Sequence, residues 1–233
     1  MSFSPSDACE LTLDPNTAYR YLSLFKDNRK VVLRGCPLLE DAGQEKEIPD
    51  HPERFDSVPQ VLCREGLTGR CYWEVEWDGR VSIGVTYRGI TRRGRSNDSM
   101  LGGNNRSWSL SCNQVYDQSN HYDSDDDEYN SDYYDDEEEE EEEEGCHYTA
   151  RYNWVDRLTV FPPDEPARVG VYLDRPAGTL SFYSVSTAVG QTDTLTRIHT
   201  FQSTFTQEDL LPGFGLGEDD YEDQGCSVSL CKL

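Results

Sequence analysis

Arg168-Val-Gly-Val-Tyr-Leu-Asp-Arg-Pro-Ala-Gly-Thr-Leu-Ser-Phe-Tyr183 holds two apolar-alternating runs on either side of a turn. Val169, Val171 and Leu173 recur with the two-residue period of a strand, and Leu180 and Phe182 resume it. Between the runs, Asp174 can accept hydrogen bonds from backbone ahead of it and Pro176 fixes its own φ. Gly178 can take the positive φ that closes such a loop. Pattern and turn chemistry agree on a β-hairpin. Runs of the same period lie on both sides of it, which makes it central to an all-β domain.

Upstream, Tyr19 to Phe25 and Lys30-Val-Val-Leu-Arg34 pair as a second hairpin across Lys26-Asp-Asn-Arg29. In Gly69-Arg-Cys-Tyr-Trp-Glu-Val-Glu-Trp77, Trp73, Val75 and Trp77 share one face, leaving Tyr72, Glu74 and Glu76 as a polar outer face. Asp78-Gly79 is a tight-turn signal, and Val81, Ile83, Val85 and Tyr87 follow it in alternation. Trp108-Ser-Leu-Ser-Cys112 is a further strand, with Trp108 and Leu110 inward. Cys146 to Tyr152, Leu158 to Val160, Thr194 to Phe201, Leu210 to Leu216 and Cys226 to Cys231 add more. Residues 36–52 and 88–107 read as loops. No long helical repeat occurs, and the number of short strands suits two stacked antiparallel sheets, a β-sandwich in preference to a barrel. A length of 233 residues is compatible with one such domain.

Residues 117–144 hold 17 of the 45 acidic side chains and no Lys or Arg, so they carry −17 of the net −24. A block of like charges repels itself and buries no core, so the segment is expected to be a disordered acidic insert in an otherwise mildly acidic domain. The same charge repels phosphate backbones and argues against nucleic acid. No apolar run approaches the roughly 20 residues of a membrane helix. Met1-Ser-Phe-Ser-Pro-Ser has no signal-peptide pattern, and no two of the eight cysteines form a C-x-x-C. The cysteines are therefore expected to be reduced thiols of a cytoplasmic protein.

Reactive chemistry is sparse. An EF-hand reading from Asp123 has Asp125 and Asp127 in place but puts Glu128 at the required Gly and Tyr134 at the terminal Glu. No metal site or cofactor is expected. His51, His121, His147 and His199 sit in no H-E-x-x-H, and G-x-S-x-G and glycine-rich phosphate loops are absent. Glu74 and Glu76 read as solvated carboxylates on a sheet face. Arg88, Arg92, Arg93 and Arg95 form the one basic cluster, suited to an acidic partner or to the insert. The insert itself offers a basic partner an attraction that fades with salt. Trp73, Trp77 and Trp108 read as core.

Leu11-Thr-Leu-Asp-Pro15, Arg54-Phe-Asp56, Tyr72-Trp-Glu-Val75, Ser82-Ile-Gly-Val85, Ser107-Trp-Ser-Leu110, Gly170-Val-Tyr-Leu-Asp174, Ala177 to Tyr183 and Leu211-Pro-Gly-Phe214 resemble, in order, the successive signatures of a PRY-SPRY domain. The versions most similar are those at the C-termini of fish tripartite-motif E3 ligases and NOD-like receptors, with butyrophilins and stonefish-type cytolysins as more distant hosts. The resemblance implies a bent β-sandwich, with a linker at 1–9, a PRY part at 10–60 and a SPRY part at 61–233. It implies a non-catalytic protein-recognition module of an innate-immune sensor or ubiquitin ligase. Carried over position by position, the binding face comprises Val58, Ser82, Ser111, Asn113 and Phe214. Ser111 and Asn113 stand where some members have aromatic anchors. Phe214, between Gly213 and Gly215, fits either a loop-tip anchor or a buried plug. The rival reading is a secreted lectin-like or toxin-associated sandwich, for which the cysteine count and the sequons Asn97-Asp-Ser99 and Asn105-Arg-Ser107 speak.

Overall fold

The computed structural model describes residues 5–33, 50–115, 145–161, 167–186, 192–205, 208–217 and 226–233. Thirteen strands run through the described residues. The first seven are β1 (Leu22–Phe25), β2 (Lys30–Leu33), β3 (Gln60–Leu62), β4 (Arg70–Asp78), β5 (Val81–Tyr87), β6 (Ser107–Val115) and β7 (Gly145–Tyr152). Then come β8 (Val155–Phe161), β9 (Arg168–Asp174), β10 (Thr179–Ser186), β11 (Thr194–Gln202), β12 (Leu210–Leu216) and β13 (Ser227–Leu230). They form a seven-stranded sheet in the order β1-β2-β13-β4-β9-β10-β11 and a six-stranded sheet in the order β3-β12-β5-β6-β7-β8. All strand pairings are antiparallel, so the all-β sandwich read from the sequence is the fold. The predicted acidic insert and most of the 36–52 loop lie outside the described residues.

The opening stretch is the β9–β10 hairpin, with Leu180 opposite Leu173 and Phe182 opposite Val171. Gly178 takes φ 69°, and Ala177 N donates to Asp174 Oδ1 at 3.0 Å, as the turn chemistry requires. Trp73, Val75 and Trp77 of β4 and Ile83 and Val85 of β5 meet β9 and β10 between the sheets in one large core. Trp108 joins them, stacked on Tyr152 at 5.4 Å. A second, small core lies on the outer face of the six-stranded sheet, where Phe55, Leu62, Ile90, Leu101 and Leu211 pack together. It clamps the 88–106 loop onto that face.

Three expectations need correction. The middle of the outer face of β4 is not a solvated polar surface, because of Tyr72, Glu74 and Glu76 the first two are buried and only Glu76 is exposed. Tyr72 Oη donates to Glu74 Oε1 at 2.6 Å, and Arg168 pairs with Glu74 and, at 3.4 Å, with Asp193. Burial and the Glu74 carboxylate raise the Tyr72 phenol well above its ordinary range. Gly170 makes room for this, since a Cβ there would stand 2.7 Å from the Tyr72 hydroxyl.

The second correction concerns the N-terminal piece and its cysteine. Ala8 bridges Tyr72 in parallel, Cys9 N donates to Tyr72 O at 2.9 Å, and Asp7 accepts from the Tyr172 hydroxyl at 3.2 Å. That alignment sets Cys9 beside Cys71, Cα to Cα 5.6 Å, as a disulfide. The structure thus pairs two of the cysteines that the sequence reading takes as reduced thiols, while Cys63, Cys112, Cys146, Cys226 and Cys231 lie in no disulfide.

The third concerns the basic cluster, of which Arg92 is a framework residue. Its guanidinium lies 4.8 Å over the Phe55 ring, donates to Ile90 O and Arg88 O, and pairs with Glu53. Arg93 pairs with Asp56 at 3.7 Å. These charges brace the loop.

Candidate binding surface

Along β5 the two-residue period turns Val81, Ile83 and Val85 into the core and Ser82, Gly84 and Thr86 to the outer face of the six-stranded sheet. The register continues this surface across neighbouring strands. Gln60, Gly215, Ser82, Ser111, Thr149 and Leu158 form one row over β3, β12, β5, β6, β7 and β8. Asn113 and His147 begin the next row towards the far end of β6 and β7.

One half of this face is covered. Gln60 Nε2 donates to Ser99 O, and its Oε1 accepts from Leu101 N, both at 2.8 Å, tying the 88–106 loop down. Ser109 Oγ donates to Leu101 O at 3.3 Å, and Gly102, at φ 76°, lies so close that a Cβ would sit 2.2 Å from Ser109 Oγ. The other half carries Ser111, Asn113, Thr149 and His147, each partly exposed, and Leu158, which is 63% exposed.

A cleft lies at the border between the halves, walled by Val58, Pro59, Met100, Arg151, Trp154 and Leu216 and floored by Gly215. Trp154 occupies the two-residue turn between β7 and β8. Asn153 and Trp154 both have positive φ, 50° and 62°, the combination of a type I′ turn. Trp154 N donates to Gly102 O at 3.4 Å, and the Arg151 guanidinium lies 5.2 Å from the indole. Arg151 is itself held by Asp156, through Nε at 2.9 Å and Nη2 at 3.2 Å.

Of the five residues carried over from the family, Ser82, Ser111 and Asn113 share this face, and the Ser82 and Ser111 hydroxyls are 3.0 Å apart. Ser111 and Asn113 can meet a partner directly. Ser82, 1% exposed, underlies them without reaching the surface, and Val58, 6% exposed, is a cleft wall and no projecting contact. Phe214 must be withdrawn from the face. It lies opposite Ile83 and Val61, so its side chain points between the sheets and is 0% exposed. Trp154 was missed, although two residues between the alternating runs ending at Tyr152 and starting at Val155 signal a hairpin turn that puts an indole at its tip. Among the described residues, no group of three or more His, Cys, Asp or Glu is placed to hold a metal ion. What the surface presents is hydroxyls, an amide, an imidazole and an indole, the groups of hydrogen bonding and stacking.

The SPRY-associated domain matches residues 11–67 and the SPRY domain residues 70–232. Stonustoxin subunit beta of Synanceia horrida is 37% identical over 210 residues, which are 90% of this chain and 24% of that protein. Mouse tripartite motif-containing protein 16 is 31% identical over 234 residues, 95% of this chain and 34% of that protein. The stonefish subunit is nearer in sequence than this mouse relative, and both carry the PRY-SPRY resemblance read from the sequence. Among solved structures, that of stonustoxin superposes with a TM-score of 0.67 at 35% identity, over 96% of this chain and 27% of that one. The TRIM65 PSpry domain superposes with a TM-score of 0.65 at 21% identity, over 100% and 99%. The chain spans about a quarter of the length of the toxin subunits it matches.

Proposed function

This chain belongs to the PRY-SPRY family, and from that premise we propose that it is a non-catalytic protein-recognition module that takes its target on the open half of the six-stranded sheet. The observation that carries the reading is the row of partly exposed Ser111, Asn113, Thr149 and His147, set on paired strands and bordered by a braced loop. Side chains on a sheet are pre-positioned, so binding orders few of them. The tripartite-motif relatives support a parent protein of the ubiquitin-ligase or innate-immune-sensor kind and a cytoplasmic place of action. The partner is a protein; cofactor, nucleic acid and membrane have no part in the reading. The acidic run at 117–144 draws a basic partner, an attraction that weakens with salt.

The test is affinity capture with this chain beside a Ser111→Arg/Asn113→Arg variant and a control, Arg64→Ala, at an exposed residue of the loop between β3 and β4. The proposal expects a set of bound proteins that the control keeps and the double variant loses, at unchanged melting temperature. Proteins bound equally by all three would refute it.

A second reading is favoured by the Cys9–Cys71 disulfide together with the stonefish relatives: a toxin-associated sandwich in an oxidising compartment. Thiol titration of protein unfolded directly from its native source decides between them. Eight reactive thiols place the module in the cytoplasm; six or fewer place it outside.

A further inference from the structure

We propose that Trp154 is the anchor of the recognition surface, and that its occupant is an extended basic peptide segment that packs an apolar side chain against the exposed indole, beside Val58 and Pro59. The inference rests on the protein-binding reading above and adds the residue and the ligand chemistry.

Several observations converge. Trp73, Trp77 and Trp108 are 2–3% exposed, whereas Trp154 is 45% exposed, so this indole serves neither core. Nor does it serve its turn. A type I′ turn suits Asn153 at its first position and favours glycine at the second, where a bulky side chain at φ 62° is unfavourable. An exposed aromatic held where turn chemistry wants glycine is a hallmark of a functional site.

The indole is also pre-set. Arg151 lies against it and is locked by the Asp156 carboxylate, so the platform needs little ordering when a ligand arrives. The same ion pair neutralises Arg151, which removes the cleft's own objection to a cationic ligand. Val58 and the half-buried Pro59 line the cleft beside the indole, and its free space of about 20 Å³ is water-sized, so a ligand side chain lies against the indole at the cleft mouth. Finally, a net charge of −24 raises the local concentration of Lys- and Arg-bearing segments over acidic ones. Leu158, exposed on the same sheet face, offers a second apolar contact along an extended chain.

The experiment pans a displayed library of random dodecapeptides against the full 233-residue chain and measures enriched peptides on Trp154→Gly, Trp154→Phe and Ser111→Arg/Asn113→Arg. The expected peptides combine Lys or Arg with Leu, Pro or an aromatic residue. Trp154→Gly should weaken them about thirtyfold or more, the loss typical of a buried aromatic anchor. Trp154→Phe should keep most of the affinity. Peptide binding should also protect the parent chain from acrylamide quenching, since Trp154 is its one exposed indole among the described residues. Trp154→Gly should melt at or above the parent temperature; a fall of many degrees would show a structural role and overturn the proposal. Enriched peptides lacking basic residues, or indifferent to Trp154→Gly but lost with the double variant, overturn the anchor and leave the recognition reading standing. Peptides indifferent to every variant, or no enrichment at all, overturn both.

Discussion

Phe214 and Trp154 exchange the roles that a linear reading suggests for them. A Phe between two glycines resembles a loop tip, yet β12 is flanked by β3 and β5 and its alternation sends Phe214 into the core. Truncation to alanine therefore acts as a cavity mutation. Phe214→Ala is expected to lose about 3–5 kcal/mol of unfolding free energy in a urea titration. A folded variant of parental stability with a selective binding defect would contradict that placement.

Glu74 is the same lesson for charge. It is buried with Tyr72 and Arg168, so Tyr72→Phe removes a hydrogen bond to a carboxylate and should cost about 2 kcal/mol in the same titration.

His199 adds a pH dependence. Burial first, then Arg157 and Arg197, hold its pKa below the usual 6.5. The unfolded chain then takes up the proton before the folded one. Its stabilising contribution is full above about pH 6.5 and is lost as pH falls from there through the folded value. Denaturation midpoints at pH 7.5 and 5.5 should differ less in His199→Asn than in the parent, and an identical difference would remove His199 from the account.

At the level of elements, the hairpins announce themselves because turn chemistry and alternation are both local. β9 and β10 follow from Asp174, Gly178 and their flanking valines, and β4 and β5 from Asp78-Gly79. What lies on the outside of a strand is not local. β4 has a polar outer face in sequence, but Ala8 and Cys9 pair alongside it and Asp7 takes the Tyr172 hydroxyl, contacts that join residues more than 60 positions apart. The Cys9–Cys71 bond closes that long loop and, on chain-entropy grounds, stabilises by about 4 kcal/mol. Cys71→Ser should lower the denaturant midpoint accordingly in oxidised protein and leave reduced protein nearly unchanged. An equal effect in both states would mean that packing, and not the tether, supplies the difference.

For the whole molecule, the sandwich tolerates a highly charged run because its two ends meet. Val115 at the end of β6 is paired with Gly145 at the start of β7, so the chain can close there with a few residues. Replacing 117–144 with a short Gly/Ser linker should leave the melting temperature unchanged or slightly raised, as the net charge falls from −24 by 17. A drop of many degrees would show that the run packs on the sandwich. The all-β class, both main hairpins and the three core tryptophans were determined by sequence alone, because a period of two and the φ demands of Gly and Asn act between near neighbours. The tertiary structure decided which outward residues stay outward. Loop 88–106 is clamped over one half of a sheet by a second small core, the N-terminal piece lies on the other sheet, and Trp154 is left exposed beside Ser111 and Asn113. Those contacts join residues far apart in the chain, and no local pattern encodes the covering of one face by a distant segment.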